Sequence, residues 1–456
     1  MELNEPAAPA QGVAQSREIS PAAKAFLQQY AYWLERTEMS SFDEIASWQA
    51  PLLSRIVTFA FNESPFYRER LSPLFWRGEE ADLRFWREVP ILRRVDVERE
   101  LDRICPSQVP PDAGSVIDSH SSATTGAPLM FRTCSFARMV EQCLMHRLYR
   151  WHGYDLHAAL ASIRPYNSSR RVFPEGLTET RWSYLGPPAS HHTIDLRTPT
   201  DQLVDWLVRR GPTYLVASPS IARDIAEYPG AARIGERGLR GIVGIGEGAT
   251  DKDRAVVRQR LGCEMAQVYG AAEVGAIALQ SPALDRMLVC EESVLVEVLN
   301  DDGEPVGEGE TGRVVLTGLC NYATPFIRYE IGDYATTAEG PCPSGLKLRG
   351  LRRVEGRMRN ALKTAHGRRI WPSASSFAEL QGSIRAKRFQ IRQPDLHTIE
   401  LSYVPTEEGA EPSDGDLAHR FSALIGGPIR LVTEIVPEMQ RTRGGKFELI
   451  VSAVSA

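Results

Sequence analysis

Alternation of short apolar strands with amphipathic helices between Thr200 and Tyr269 is the feature that most limits the fold. A helix is predicted from Thr200 to Arg210, and Gly211-Pro212 ends it. Three predicted strands and two predicted helices then alternate, at residues 214–217, 221–227, 242–245, 251–261 and 265–269. This order is typical of a parallel sheet that is covered by helices on both faces.

Two glycine-bearing segments follow the last two of these strands. Gly246-Glu247-Gly248 comes after the second strand, and Tyr269-Gly270-Ala271-Ala272-Glu273 comes at the end of the third. Ligands of parallel sheets bind beyond the carboxyl ends of the strands. Because each segment combines backbone freedom with a carboxylate, the two together predict a shelf for a nucleotide.

Beyond residue 290 the apolar pattern changes to a period of two residues. Predicted strands at 294–298 and 312–317 flank the turn Asp301-Asp302-Gly303, as in an antiparallel barrel or sheet. A smaller α+β pattern follows the basic run 347–369, which holds nine Lys or Arg against the single acid Glu355. We predict an α/β fold whose large N-terminal domain has parallel sheets flanked by helices plus an antiparallel β-barrel-like part. The predicted division is a disordered tail at 1–20, the N-terminal domain at 21–356 and an α+β C-terminal domain at 357–456.

The composition excludes several classes of function. Lys and Arg number 53 against 58 Asp and Glu, and a net charge of −5 argues against a general nucleic-acid surface. No apolar run reaches the length of a membrane span, and the N-terminus has neither a basic start nor an apolar signal core. We therefore expect a cytoplasmic protein without nucleic-acid or membrane partners, and the sequence leaves its oligomeric state open.

Cysteine and histidine give no pattern typical of a metal site. The seven cysteines are scattered and never spaced as Cys-x-x-Cys, which favours reduced thiols over disulfides or zinc ligands. His191 and His192 are adjacent, and neighbours in an extended segment point to opposite faces. We therefore predict that this pair lies in a surface loop.

A loop rich in hydroxyl groups lies ahead of these elements. His120-Ser121-Ser122-Ala123-Thr124-Thr125-Gly126-Ala127-Pro128-Leu129 has little to pack and many groups that can donate to phosphate oxygens. It is not a Walker A loop, because that motif needs two glycines and a lysine before Ser/Thr. From the residues alone, a polyphosphate loop and a polar turn before the helix predicted from Ser135 both remain open.

Five motifs in order resemble those of the adenylate-forming ligases. They are the Ser/Thr loop, the segment from Tyr269 to Glu273, Ile327-Arg328-Tyr329-Glu330-Ile331-Gly332-Asp333, Gly356-Arg357 and Gly444-Gly445-Lys446. Further segments resemble the branch of phenylacetate–CoA ligase and its capsule-biosynthesis relatives: Asn62-Glu63-Ser64-Pro65-Phe66-Tyr67, Phe389-Gln390-Ile391-Arg392-Gln393 and Gly445-Lys446-Phe447. The similarity covers the chain from about residue 21 onwards.

The resemblance implies a function and a role for each matching residue. ATP and a carboxylic acid would give an acyl-adenylate and pyrophosphate, and the acyl group would pass to a thiol of CoA or of an acyl carrier protein. Catalytic roles fall on Lys446, Glu273 and Thr124, with Mg²⁺ at Glu273 and a mobile C-terminal domain that pivots at Arg359. ATP or AMP would contact Ser121, Ser122, Thr124, Thr125, Gly126, Gly246, Glu247, Tyr269, Gly270, Asp333 and Arg357, and Gly246 and Ala271 would border the carboxylate pocket.

Two residues depart from the family pattern. Ala123 replaces a usual glycine and removes some backbone freedom from the loop. Arg359 and Asn360 stand at the hinge, where acidic residues are common in relatives. Two other functions stay open at this point, namely an adenylate-forming amide or ester synthetase and a non-catalytic nucleotide binder. The joint presence of Lys446, Glu273 and Asp333 argues against the non-catalytic alternative.

Overall fold

In the computed structural model, thirteen strands form one continuous sheet that carries both halves of the predicted architecture. The structure describes residues 13–14, 19–121, 128–166, 169–357, 361–364, 366, 369–370, 384–406, 414–439 and 449–454. For residues 13, 14, 357, 369, 414 and 416 only the backbone is described.

Helices precede the sheet and alternate with its parallel strands. Within the described ranges they are α1 Pro21–Thr37, α2 Phe42–Glu63, α3 Pro65–Arg70, α4 Arg94–Ile104, α5 Ser135–Trp151, α6 Thr200–Arg210, α7 Pro219–Glu227, α8 Ala232–Glu236, α9 Asp251–Leu261 and α10 Asp414–Ile425. Local sequence explains several ends. For α9, Thr250 Oγ1 accepts from Asp253 N at 3.1 Å and Asp253 Oδ2 accepts from Thr250 N at 2.9 Å. Gly262 then ends this helix in the left-handed region at φ 72°.

The described part of the chain contains twenty-one strands. They are β1 Val13–Ala14, β2 Val116–His120, β3 Met130–Cys134, β4 Leu160–Arg164, β5 Leu177–Glu179, β6 His191–Asp195, β7 Tyr214–Ala217, β8 Gly241–Ile245, β9 Glu264–Ala271, β10 Gly275–Gln280, β11 Met287–Val289, β12 Val294–Leu299, β13 Thr311–Gly318, β14 Tyr329–Thr337, β15 Gly350–Arg357, β16 Leu362–Lys363, β17 Arg369–Ile370, β18 Ala386–Asp395, β19 Thr398–Pro405, β20 Arg430–Ile435 and β21 Ile450–Ser452.

The large sheet changes from parallel to antiparallel pairing at β9. Its order is β1-β5-β6-β4-β7-β8-β9-β10-β11-β15-β14-β13-β12. Strands β6, β4, β7, β8 and β9 pair in parallel, and every pair from β9–β10 onwards is antiparallel. The α/β class and the flanking helices are therefore confirmed. Among the described strands the antiparallel part continues the same open sheet and does not close into a barrel.

A smaller sheet follows, in the order β20-β19-β18-β21. Its apolar face packs with α10 through Leu401, Leu417 and Phe421, all buried. Gln393, which is 0% exposed, joins β18 to its neighbours. Its Nε2 donates to Lys363 O at 2.8 Å, and its Oε1 accepts from Lys363 N at 2.8 Å.

Two strands of the large sheet come from segments for which the sequence predicted something else. Val13–Ala14, which falls in the predicted disordered tail, pairs in parallel with Thr178 and Glu179 of β5. Strand β15 takes Arg352 and Arg353 of the basic run into the large sheet, where it pairs with β14 and β11. The pattern that starts the small domain therefore begins after part of the basic run, and the division at residues 356 and 357 stays a prediction.

The surface-loop prediction for His191 and His192 is wrong. Both histidines lie in β6, between β4 and β5, and His192 is 9% exposed. His191 Nε2 is 2.9 Å from Ser162 Oγ, and His192 Nδ1 is 3.0 Å from Thr178 Oγ1. Because hydroxyl groups on both adjacent strands satisfy the rings, this polar pair is tolerated inside the sheet. Burial lowers the pKa of each imidazole to about 4.

All seven cysteines are free and buried, as the prediction of reduced thiols requires. Burial raises the pKa of Cys143, Cys263 and Cys320 to about 12. Within the described ranges, none of the helices combines the length and the apolar character needed to cross a bilayer.

Candidate active site

The loop after β8 is held at the carboxyl edge of the parallel strands. Gly246 has φ 81°, a conformation that side chains with a Cβ rarely adopt, so glycine is required at this turn. Glu247 Oε2 accepts from Ser220 N at 3.3 Å, in the first turn of α7. Gln267 Nε2 of β9 donates to Glu247 O at 3.1 Å. The side-chain carboxylate and the backbone carbonyl of Glu247 are thus each hydrogen-bonded to a neighbouring element.

The hairpin between β9 and β10 carries the second glycine-bearing segment. Ala271 pairs with Gly275 and Gly270 pairs with Ala276, and a bulge follows at Ala276 to Ala278. A Cβ added to Gly270 would lie 3.0 Å from Gly275 O, so the close approach of the two strands favours glycine. Glu273 stands in the turn with only 7% of its surface exposed. A buried carboxylate at a strand end fits the predicted contact with a cation or phosphate.

The side chains of Tyr269 and Asp333 are in contact, although they come from the parallel and the antiparallel part of the sheet. Tyr269 OH donates to Asp333 Oδ2 at 2.9 Å, although 64 residues separate the two positions. Tyr269 comes from β9, where the parallel half ends, and Asp333 comes from β14 in the antiparallel half. The predicted adenine and ribose contacts are therefore brought together. Asp333 is also opposite residue 357 in the ladder of β14 and β15, so the backbone of that predicted site residue lies beside it.

The predicted phosphate loop closes on a two-stranded hairpin. Strands β2 and β3 pair from Val116–Cys134 to His120–Met130. Beyond them Ser121 N donates to Leu129 O at 2.9 Å, and Leu129 N donates to Ser121 Oγ at 3.0 Å. Arg94 Nη1 lies 3.5 Å from the same hydroxyl. Ser121 is therefore fixed at the base of the loop, and α5 begins directly after β3.

Several predicted site residues lie outside the described residues. These are Ser122, Thr124, Thr125, Gly126, Arg359 and Lys446, and their roles stay predictions.

Arg328, which belongs to the motif that ends at Asp333, is buried and holds neighbouring segments of the fold together. Arg328 adopts φ 49° and is 3% exposed. Its Nη1 donates to Arg87 O at 3.0 Å and Val89 O at 2.7 Å, and its Nη2 lies 3.1 Å from Glu297 Oε1. These bonds tie the segment ahead of α4 to the start of β14. The arginine therefore supports the strand that carries Asp333.

Sequence reasoning missed one carboxylate at the site. Glu141 of α5 accepts from Ala276 N at 2.7 Å, beside the turn that carries Glu273. Burial raises the pKa of the Glu141 carboxyl, against the effects of the Ala276 hydrogen bond and of Arg164. Nothing in the helix pattern distinguishes Glu141, because its neighbours fit an ordinary amphipathic helix. Only the position of α5 against β10 identifies it.

The chain is similar to known proteins over much of its length. Residues 184–323 match the family described as AMP-binding enzyme. The phenylacetate-coenzyme A ligase of Thermus thermophilus is 25% identical over 322 residues, which are 66% of this chain and 68% of that protein. The phenylacetate-coenzyme A ligase of Escherichia coli is 29% identical over 191 residues, which are 39% of this chain and 43% of that protein.

Solved structures show the same fold. A 2-hydroxyisobutyryl-CoA ligase, in its post-adenylation state with 2-HIB-AMP, superposes with a TM-score of 0.71 at 19% identity, covering 92% of this chain and 91% of that chain. An anthranilate CoA ligase in complex with anthranoyl-AMP gives 0.54 at 15% identity, covering 73% and 65%.

Residues 184–323 thus carry the match to the AMP-binding enzyme family, and the chain is similar to phenylacetate–CoA ligases. The family resemblance drawn from the five motifs is therefore confirmed.

Proposed function

We propose that this chain is an AMP-forming acid–thiol ligase, which activates a carboxylic acid with ATP and passes the acyl group to CoA. The observation that carries the proposal is the Tyr269–Asp333 hydrogen bond of 2.9 Å. It joins a ring suited to a base and a carboxylate suited to ribose hydroxyls at one edge of the sheet. The anchored Glu247 and the buried Glu273 border the same edge.

The reaction has two steps that balance without a further reactant. A carboxylate oxygen of the acid attacks the α-phosphorus of ATP, and the bond from that phosphorus to the pyrophosphate oxygen breaks. The CoA sulfur then attacks the acyl carbonyl carbon, its proton is lost, and AMP leaves with the former carboxylate oxygen. A carboxylate is a poor electrophile, so the first step supplies the leaving group that the second step needs. Positioning and neutralisation of charge account for most of what the protein must do.

Each residue of the site has a role in this scheme. Asp333 is acceptor-only when ionised, so it takes the hydrogen bonds of the ribose hydroxyls. Tyr269 and Gly270 form one wall for the adenine, and Gly246 and Glu247 form the other. The loop from Ser121 to Gly126, with Thr124 at its centre, donates to the β- and γ-phosphates. Lys446 supplies positive charge to the α-phosphate during adenylation, and Arg357 contacts the nucleotide near the hinge.

A magnesium ion fits Glu273. Within the described residues, no three His, Cys, Asp or Glu side chains form a cage for a metal. Such a cage is not required, because Mg²⁺ in nucleotide sites is commonly held by one or two carboxylates together with substrate phosphates and water. A buried carboxylate at the phosphate end of the site meets that description. When bound there, the ion would neutralise charge on the pyrophosphate leaving group.

The acid is selected in a pocket that begins at Gly246 and Ala271. Both residues are small, which leaves room for a ring between the strand ends. The relatives named phenylacetate-coenzyme A ligase support an aryl or arylacetic acid as the first candidate. An acyl carrier protein is the alternative acceptor, because it presents the same kind of thiol.

The two steps use different positions of the C-terminal domain. We place the boundary at residues 356 and 357 and the pivot at Arg359. Lys446 would then approach the α-phosphate in the first step and move away in the second, as suits a lysine on a long flexible stem.

Two linked assays test the proposal. Pyrophosphate release is measured with ATP, Mg²⁺ and a panel of aryl, fatty and amino acids, and the thioester is measured after addition of CoA. Release without thioester, but with product on an amine or alcohol, would favour an amide or ester synthetase. Absence of release with every acid, together with ATP binding, would identify a non-catalytic binder.

Lys446→Ala separates the half-reactions. We expect it to abolish pyrophosphate release that depends on the acid, while the variant still converts supplied acyl-AMP to acyl-CoA. Equal loss of both steps would contradict the assignment of Lys446 to adenylation alone. Wild-type pyrophosphate release by the variant would show that another group carries that charge.

A further inference from the structure

The turn that carries Glu273 lies between β9 and β10, and a side chain of helix α5 holds its β10 side. Strand β11 pairs with β10 only at residues Ala278, Leu279 and Gln280. Gly275 and Ala276 therefore extend past the end of β11, with β9 on one side only. A backbone N–H at such a position needs another acceptor if it is withdrawn from water.

Glu141 supplies that acceptor. Its Oε2 accepts from Ala276 N at 2.7 Å, in the part of β10 that β11 does not pair with. The fit is close, because a Cβ built on Gly275 would lie 2.5 Å from the same oxygen. Gly275 also has φ 78°, so glycine serves both the turn and the approach of the carboxylate.

The helix that carries Glu141 is anchored at its start. Helix α5 begins at Ser135, directly after β3, and Ser135 N donates to Ser115 O at 2.8 Å, at the end of the β2–β3 hairpin opposite the loop. Glu141 follows about two turns later, so the carboxylate that holds the Glu273 turn comes from a helix whose first turn is fixed.

We propose that Glu141 is a positioning residue that fixes the Glu273 turn, and that it thereby sets the affinity of the site for magnesium with ATP. This inference rests on the proposed function. Glu141 acts through the Ala276 backbone and through Glu273. Outer groups of this kind orient the residues that hold a metal, and their loss commonly lowers metal affinity by 10- to 100-fold.

Three substitutions distinguish this role from general support of the fold. Glu141→Gln keeps an acceptor oxygen at nearly the same place, so we expect its behaviour to stay close to that of the wild type. Glu141→Leu removes the acceptor, and Glu141→Asp keeps the charge but shortens the reach. The control is Asp205→Leu, which removes a carboxylate from α6 that is paired with Arg209 at the surface.

The first measurement does not depend on activity. Hydrogen exchange is followed by mass spectrometry in peptides that cover residues 268–280. We expect faster exchange in Glu141→Leu and Glu141→Asp, and wild-type exchange in Glu141→Gln and Asp205→Leu. Equal protection of these peptides in all four variants would overturn the proposal. If Glu141→Leu does not fold, Glu141→Asp carries the same test.

The second measurement is the binding of ATP by calorimetry as Mg²⁺ is varied. For Glu141→Leu and Glu141→Asp, the Mg²⁺ concentration that gives half of the increase in ATP affinity should be about tenfold higher than for the wild type. The affinity for ATP without Mg²⁺ should be unchanged. Equal weakening with and without Mg²⁺ would contradict a role through Glu273. Wild-type protein that binds ATP but releases no pyrophosphate would defeat the proposed function, while the exchange and binding results would still decide the role of Glu141.

Discussion

Replacing Arg147 by methionine should destabilise the protein strongly, because it leaves a buried carboxylate without its cation. The side chains of Arg147 and Glu292 are 1% and 0% exposed. Arg147 Nη2 donates to Glu292 Oε1 at 2.6 Å and Nη1 donates to Oε2 at 3.2 Å, and Nη2 also donates to Leu34 O at 2.8 Å. These bonds join α5 to the end of α1 and to the segment before β12.

The magnitude follows from the burial of the pair. Burial disfavours the charged guanidinium, but the attraction of Glu292 exceeds that effect and raises the pKa of Arg147. Loss of one partner of a buried pair typically costs about 3–5 kcal/mol, whereas loss of both to well-packed apolar groups is often near neutral. Glu292 keeps the hydrogen bond from the Thr37 hydroxyl. We therefore expect the lower part of that range, about 3 kcal/mol.

Urea unfolding followed by tryptophan fluorescence measures this cost. Arg147→Met should shift the midpoint to lower urea at unchanged slope, which indicates a change in stability alone. Arg258→Met is the matched control, because Arg258 and its partner Glu264 are 59% and 49% exposed and such pairs contribute under about 1 kcal/mol. Arg147→Met with Glu292→Leu should recover most of the loss. Equal shifts in Arg147→Met and Arg258→Met, or no recovery in the double variant, would refute the argument.

Three further outcomes follow from the site and its surroundings. Asp333→Ala should weaken ATP binding by about 2–4 kcal/mol, since bonds to a charged group are lost; unchanged affinity in calorimetry would remove the ribose assignment. Arg352 and Arg353 are exposed, and replacing both by serine should raise the KM for CoA and make that KM less dependent on salt concentration. If the KM and its dependence on salt match those of the wild type, these two residues do not take part in acceptor binding. The depressed pKa values of His191 and His192, about 4 against about 6.5 unfolded, mean that the unfolded chain binds more protons between these values. Stability should therefore fall as the pH drops from 6.5 to 4, and His192→Asn should flatten this dependence; an unaltered pH profile of the unfolding free energy would count against the effect.

Elements set by neighbouring residues could be predicted from the sequence. Helix α9 runs from Asp251 to Leu261 as expected, because Thr250, Asp253 and Gly262 encode both of its ends within a few residues. Strand β7 matches its predicted bounds for a similar reason, since a short apolar run follows Gly211-Pro212. The in-order motifs also assign Tyr269 and Asp333 to one predicted site, and a hydrogen bond joins these two side chains in the structure.

Contacts between distant segments could not be predicted in this way. The adjacency of His191 and His192 suggested a surface loop, because the hydroxyl partners that satisfy the two rings inside the sheet come from the distant strands β4 and β5. Glu141 looked like one polar residue of an amphipathic helix, because its partner lies 135 residues away on β10. Periodicity likewise indicated antiparallel strands without showing that they continue the parallel sheet. Each of these features depends on pairing between elements, which local pattern does not encode.

The seclusion of every cysteine has a practical consequence for an enzyme whose proposed acceptor is itself a thiol. All seven sulfurs are buried, so a reagent that colours on contact with free sulfhydryl groups would meet only the sulfur of CoA while the protein stays folded. In samples taken at intervals from the reaction, a falling yield of colour would record acyl transfer, with no background from the folded protein. Added to the protein alone, the same reagent would give a stoichiometric rise in colour when the chain unfolds.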